Sequence, residues 1–175
     1  YGLKNIKFIK SNIENLFADI KPHDITLFSG LLYHLSNPIE TLEKISKLTN
    51  KFMLLGTYIY HDFHFLNYTF TKNSSLKLKF ENIDLPGSGS KNLVTIPSQK
   101  SIIDMLSFAG FKKIYRYYPH PFFDKSKKFV NKTDWAIYLV SKEDYINDRF
   151  TKLPDLKVKK HYNFILSKSQ FVEIL

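Results

Sequence analysis

The side chains best suited to chemistry in this sequence are clustered, and the densest cluster is His61, Asp62 and His64. Two histidines three residues apart meet on one face of a helix, where two imidazoles and a carboxylate could ligate a metal. The company they keep points elsewhere: Tyr58, Tyr60, Phe63, Phe65 and Tyr68 surround them, which is the composition of a pocket wall with a polar mouth. No metal is therefore expected. The absence of cysteine excludes a disulfide framework and any thiolate metal site. Gly87-Ser88-Gly89 has the outline of a phosphate loop, but it neither follows a buried strand nor opens a helix, so it reads as a plain loop. Gly30 is different, because it ends the apolar run of Ile25, Leu27 and Phe28. A glycine there lets the backbone turn sharply or approach a ligand closely.

The elements that must position these residues alternate along the chain. Lys4 to Ile9 alternates lysine with Ile6, Phe8 and Ile9 and suits a short strand, followed by a polar, partly helical stretch from Ser11 to Asp19. Asp24 to Ser29 is the next strand. A helix then begins with Asn37 as N-cap, Pro38 at the first helical position and Glu40 three residues after the cap. Ile39, Leu42, Ile45 and Leu48 mark its apolar stripe. Lys51 to Tyr58 reads as a buried strand, and strand, helix, strand with short connections predicts a parallel sheet flanked by helices. Ile59 to Ile96 interrupts this pattern as a long irregular stretch, too long for a passive connector. Ser98 caps a second helix with Ile102, Ile103, Leu106 and Ala109 on one face and Gly110 as its stop. Lys113 to Tyr118 and Trp135 to Val140 read as antiparallel neighbours joined by a basic loop around Lys125 to Lys128. Lys142 to Leu175 is charged and weakly periodic, an appended helical or extended tail.

The stretch Asp24-Ile25-Thr26-Leu27-Phe28-Ser29-Gly30-Leu31-Leu32-Tyr33-His34-Leu35-Ser36-Asn37-Pro38 resembles the fourth-strand region of class I S-adenosylmethionine-dependent methyltransferases. It is most similar to the branch with a Leu-Tyr-His-Leu stretch followed two residues later by Pro. The resemblance extends over about residues 1 to 141, with Ile6 to Leu16 as the third strand and its turn, Phe52 to Tyr58 as the fifth strand, Pro97 to Phe111 as the late helix, and Trp135 to Val140 as the antiparallel seventh strand. It implies an α/β, Rossmann-like methyltransferase fold, with S-adenosylmethionine lying across the C-terminal ends of the parallel strands. Asn12 and Ile13 match the adenine position, with Asn12 standing where the family usually has Asp. Ser29, Gly30 and Leu31 would line the cofactor. His34 and Tyr33 follow that strand end and become the candidates for acceptor contact and catalysis, with Tyr60, His61, His64 and Phe65 facing the acceptor from the segment spanning residues 59–96.

Two parts of the family pattern are absent: a strand leading into a Gly-x-Gly loop, and an acidic residue for the ribose hydroxyls. The sequence therefore reads as the C-terminal portion of such a domain, residues 1–141, with residues 142–175 as an extension, needing the rest of a parent chain. In the family's sheet order the strand at Ile6 to Ile9 would then lack its neighbour. The expected acceptor is a small molecule, a sugar or other biosynthetic intermediate. The alternatives are a tRNA acceptor and a degenerate, non-catalytic binding module. The formal charge of +10 is mostly lysine spread along the chain, which favours compositional bias over a phosphate-binding patch. No apolar run approaches the roughly 20 residues that span a bilayer, and no signal-peptide pattern opens the chain, so no membrane partner and a cytoplasmic location are expected.

Overall fold

The computed structural model describes residues 4–13, 15, 20–60, 64–65, 68–69, 74–82, 93–118, 133–143, 150–152 and 170–173. Helix α1 (Pro38–Leu48) starts where its cap residues dictate: the Glu40 amide donates to Asn37 Oδ1 at 3.2 Å, and Asn37 Nδ2 donates to Glu40 Oε2 at 2.8 Å. Its buried face is Thr41, Leu42, Ile45 and Ser46, whereas Ile39 is exposed. The stripe is rotated from the expected one, and Thr41 is buried at little cost because its hydroxyl keeps a partner. The Thr41 hydroxyl donates to Asn37 O at 3.0 Å, and Ser46 O accepts from Lys142. Helix α2 (Gln99–Phe108) is capped by Ser98, whose Oγ accepts from the Ser101 amide at 3.2 Å. The chain leaves it through Gly110 at φ +94°, a conformation that favours glycine.

One sheet of six strands runs in the order β1 (His23–Ser29), β2 (Thr49–Tyr60), β8 (Thr133–Ser141), β7 (Lys113–Tyr118), β10 (Gln170–Glu173), β9 (Phe150–Lys152). β1 and β2 are parallel; β2 with β8, β8 with β7, and β7 with β10 are antiparallel; β10 and β9 are parallel. The expected mixed α/β fold with an antiparallel C-terminal strand pair is the one observed, with Lys113 opposite Ser141 and Tyr117 opposite Ile137. Strand alternation assigns Phe28, Met53, Leu55, Ile59, Ala136, Tyr138, Val140 and Ile114 to the core, together with Leu42 and Ile45 of α1 and Ile102, Met105 and Leu106 of α2. On the opposite face of β1, Ile25 and Leu27 are 67% and 72% exposed.

Three segments differ from expectation. Residues 6–10 form no strand, and Ile6, Phe8 and Ile9 are exposed. The alternation is present there, but a strand exists only by pairing, and among the described residues β1 pairs with β2 alone. Of Ser11 to Asp19, the described part is a turn in which the Asn15 amide donates to Asn12 O at 3.0 Å; the remainder lies outside the described residues. Within Ile59 to Ile96, expected to be irregular, most of the described residues are in strands. β2 continues to Tyr60, β3 (His64–Phe65) pairs with β4 (Tyr68–Thr69), and β5 (Leu76–Phe80) pairs antiparallel with β6 (Leu93–Pro97). The period-two pattern of Leu76, Leu78 and Phe80 between lysines carried that strand. Beyond Ser141, the chain returns to the same sheet as β9 and β10.

Candidate active site

Because β1 and β2 run in the same direction, their C-terminal ends, Ser29 and Gly56 to Tyr60, open onto one edge of the sheet, the edge where open α/β sheets hold ligands. The Gly30 amide donates to Gly56 O at 2.9 Å, so the strands remain joined at that end. Gly30 then takes φ +74° and diverts the chain into the 3-10 turn Leu32–His34. The two glycines have opposite surroundings. A β-carbon at Gly30 would meet nothing nearer than Trp135 Cη2 at 4.0 Å, whereas one at Gly56 would lie 2.6 Å from Ser29 Oγ and 2.9 Å from Trp135 Cζ2. Gly56 is thus the bed on which the Trp135 indole lies, and the space in front of Gly30 is open among the described residues.

From Trp135 a row of rings crosses the strand ends. Trp135 meets Tyr58 edge-on at 5.1 Å between centroids, Tyr58 meets Tyr33 at 5.2 Å and 70°, and Tyr33 lies 4.1 Å from His34 at 44°. Such aromatic pairs contribute about 0.5–1.5 kcal/mol beyond the area they bury, which fixes the row without covalent help. Trp135 and Tyr58 are 37% and 38% exposed, while Tyr33 is buried, so the row slopes from solvent into the core. Burial, then the charge of Glu81, then Tyr58 push the Tyr33 phenol above its ordinary value. It therefore stays a protonated donor at neutral pH.

Behind Tyr33, the side chains of Tyr60, Val94 and Ile96 form a second buried cluster. The Tyr60 hydroxyl donates to the Ser75 hydroxyl. Ser75 is in turn clasped to α2, its amide donating to Ser101 Oγ at 2.7 Å and its carbonyl accepting from the Ser101 hydroxyl at 2.7 Å. Tyr60, expected to face the acceptor, is buried here, and its ring and hydroxyl tie β5 and β6 to the strand ends. Its tyrosine identity could not reveal this, since a ring at a strand end suits either role.

His34 ends the row beyond the buried Tyr33, itself half-buried. Its Nδ1 is closed off from solvent without a hydrogen-bond partner, and Glu81 Oε2 stands 3.8 Å away. Ser29 is exposed, Leu31 is 42% exposed, Asn12 is exposed in its turn, and Ile13 packs half-buried against the main core. Ser29, Gly30, Tyr33 and His34 are thus brought to one edge. His61 lies outside the described residues, and His64 and Phe65 are described only as the backbone of β3. Among the described residues no three His, Cys, Asp or Glu side chains come together as a metal group. Sequence reasoning did not single out Gly56 and Glu81 and took Trp135 only as part of a strand. Trp135, the sole tryptophan, carried a usable signal in its position at the start of a strand; Glu81 carried none, because its partner is far away in sequence.

No family model matches this chain, and no curated protein matches it. Among solved structures it is similar to the N-terminal domain of EvdMO1 in the presence of SAH and D-fucose, with TM-score 0.54 and 20% identity over 75% of this chain and 52% of that one. The same domain with SAH bound gives TM-score 0.52 and 22% identity over 75% and 51%. The chain thus spans about half the length of the domain it resembles. At these identities the likeness is one of fold: the mixed α/β arrangement described above is shared with half of that domain.

Proposed function

We propose that this chain is the acceptor-side part of an S-adenosylmethionine-dependent methyltransferase acting on a small molecule, a sugar or a similar biosynthetic intermediate, at oxygen or nitrogen. The observation that carries this reading is the open space in front of Gly30, at the ends of two parallel strands and beside a row of rings that ends in His34. Support comes from the shared fold of a domain solved with SAH, the product of S-adenosylmethionine, and with D-fucose. The residues fit such a cofactor: Gly30 offers backbone without a side chain, Ser29 and Leu31 are exposed beside it, and the Asn12 amide can pair with an adenine amino group. The cofactor supplies an activated methyl group. The glycine-rich loop and the acid that holds the ribose would come from the parent chain outside these residues.

The chain's own residues then align the acceptor and take its proton. The Trp135 and Tyr58 faces give an apolar wall, Tyr33 holds that wall against the core, and His34 removes a proton from an acceptor hydroxyl. Residues 59–96, with His61, His64 and Phe65, form the acceptor-side wall or lid of a domain over residues 1–141, and residues 142–175 are an extension that lends two strands to its sheet. The test is methyl transfer by the full parent chain from labelled S-adenosylmethionine to D-fucose and to bulk tRNA. Label on the sugar is expected. Label on tRNA alone, weakening steeply with salt, would assign a nucleic-acid acceptor. Cofactor binding with no label on either would leave a non-catalytic module.

A further inference from the structure

We infer that Glu81 is a positioning residue for His34, holding the proton on Nδ1 so that Nε2 faces the acceptor as the base. The inference rests on the reading of His34 given above and extends it to a residue on a different element. Its starting point is an imbalance: Nδ1 is a polar atom shut away from solvent with no hydrogen-bond partner, while the His34 side chain as a whole keeps 14% of its surface. The open part of the ring is therefore not Nδ1. The group facing Nδ1 is Glu81 Oε2 at 3.8 Å, on a side chain only 18% exposed. A buried polar nitrogen and a nearly buried carboxylate that face each other without contact are each left costly, and one hydrogen bond between them relieves both. Catalytic hydrogen bonds are often long without substrate and shorten when the site is filled.

The placement of Glu81 is built into the fold. It follows directly after β5, whose start is clasped to α2 through Ser75, Ser98 and Ser101, and whose partner β6 buries Val94 and Ile96 against Tyr33. Glu81 also acts on Tyr33, where its charge helps to raise the phenol. Among the described residues neither His34 nor Glu81 has another ion-pair partner, and the Tyr33 ring lies against His34, 4.1 Å between centroids.

The chemistry follows from tautomerism. In a neutral imidazole one nitrogen donates and the other accepts, and the hydrogen bond made by one nitrogen decides which atom carries the proton. A carboxylate only accepts, so it selects Nδ1–H and leaves the lone pair on Nε2. The acceptor hydroxyl gives its proton to Nε2 as its oxygen bonds to the methyl carbon, and the carbon–sulfur bond breaks with its pair going to sulfur. The imidazolium so formed is offset by the Glu81 charge. An arginine or lysine in place of Glu81 would leave that cation opposed.

Nitrogen-15 spectra of the histidines in the full parent chain, recorded without cofactor or acceptor, test this directly. The spectra are recorded at rising pH until the histidine signals stop moving, where the neutral ring's tautomer is readable. His34→Gln identifies the signals by subtraction. The Nδ1–H form of His34 is expected to exceed the Nε2–H form by about tenfold, because the Glu81 charge 3.8 Å from Nδ1 favours the proton on the nitrogen that faces it even before the bond closes. Glu81→Leu should shift His34 to the Nε2–H form, and Glu81→Gln, which can still accept through its amide oxygen, should retain Nδ1–H. A predominant Nε2–H form in the native chain overturns the inference. So does an unchanged Nδ1–H form in a folded Glu81→Leu. Should Glu81→Leu not fold, the native and Glu81→Gln spectra decide alone. Because no methyl transfer is involved, failure of the activity assay and failure of this inference remain separate results.

Discussion

Replacing Gly56 by alanine tests the packing that shapes the strand ends, and the structure sets the magnitude. The added methyl would stand 2.6 Å from Ser29 Oγ, 2.9 Å from Trp135 Cζ2 and 3.3 Å from Ser29 Cβ. The Ser29 hydroxyl can rotate away, but its Cβ cannot, and the indole must tilt. Overpacking of this kind costs about 1–3 kcal/mol. At about 2–4 °C per kcal/mol for a chain of this size, the melting temperature should fall by about 2–12 °C. Trp135 is the only tryptophan of the sequence, so its emission reports the displacement without competing signals from this chain. A red shift toward solvent is expected, because the ring is already 37% exposed and has room to lift outward. Ser29→Gly combined with Gly56→Ala should recover part of the stability and of the emission, since the two sites touch. Unchanged emission and unchanged melting in Gly56→Ala would refute the claim that the indole is bedded on this glycine.

Two further outcomes follow from the local structure. Asn37→Ala removes both the bond from the Glu40 amide and the donor to Glu40 Oε2; a loss of about 0.5–2 kcal/mol is expected by denaturant unfolding, and no loss would mean that Pro38 and the core alone set the start of α1. Lys51 beside Asp24, Lys44 beside Glu40, and Lys100 with Ser74 beside Asp104 hold those carboxyls below their ordinary values. A depressed folded-state value favours the folded form at pH above the unfolded value, and this support is lost as pH falls through the folded value. Stability should therefore decline as pH is lowered below about 4, and only modestly, because these pairs are largely exposed. The decline should be shallower in about 1 M salt, where the Debye length is about 3 Å. A decline of equal slope in high salt would assign acid sensitivity to other groups.

The parts of the fold that could be read from sequence are those fixed by local signals. Asn37-Pro38 with Glu40, and Ser98 with Gly110, defined both helices because capping is decided within four residues. The antiparallel pairing of β7 and β8 followed from a connection with no helical pattern. What failed depended on partners. Ile6, Phe8 and Ile9 have the alternation of a strand and, among the described residues, no strand beside them. The edge with Gly30, Tyr33 and His34 was legible because one short motif holds all three residues, whereas Glu81 and Gly56 reach it through tertiary contacts that leave no trace in spacing.

The central claim is that the open space in front of Gly30 receives the cofactor, and calorimetric titration of the full parent chain with SAH, native against Gly30→Val, tests it most directly. Among the described residues other than its chain neighbours, the valine finds no atom closer than 4.0 Å to its β-carbon, so its cost to the fold is backbone strain at φ +74°, on the order of 1–2 kcal/mol. Melting of the mutant without ligand measures that strain separately. The account predicts one SAH site per native chain and a folded Gly30→Val whose affinity is lower by about tenfold or more, equivalent to about 1.4 kcal/mol. A folded Gly30→Val that binds SAH as tightly as the native chain, or a native chain that takes up no SAH, would contradict it.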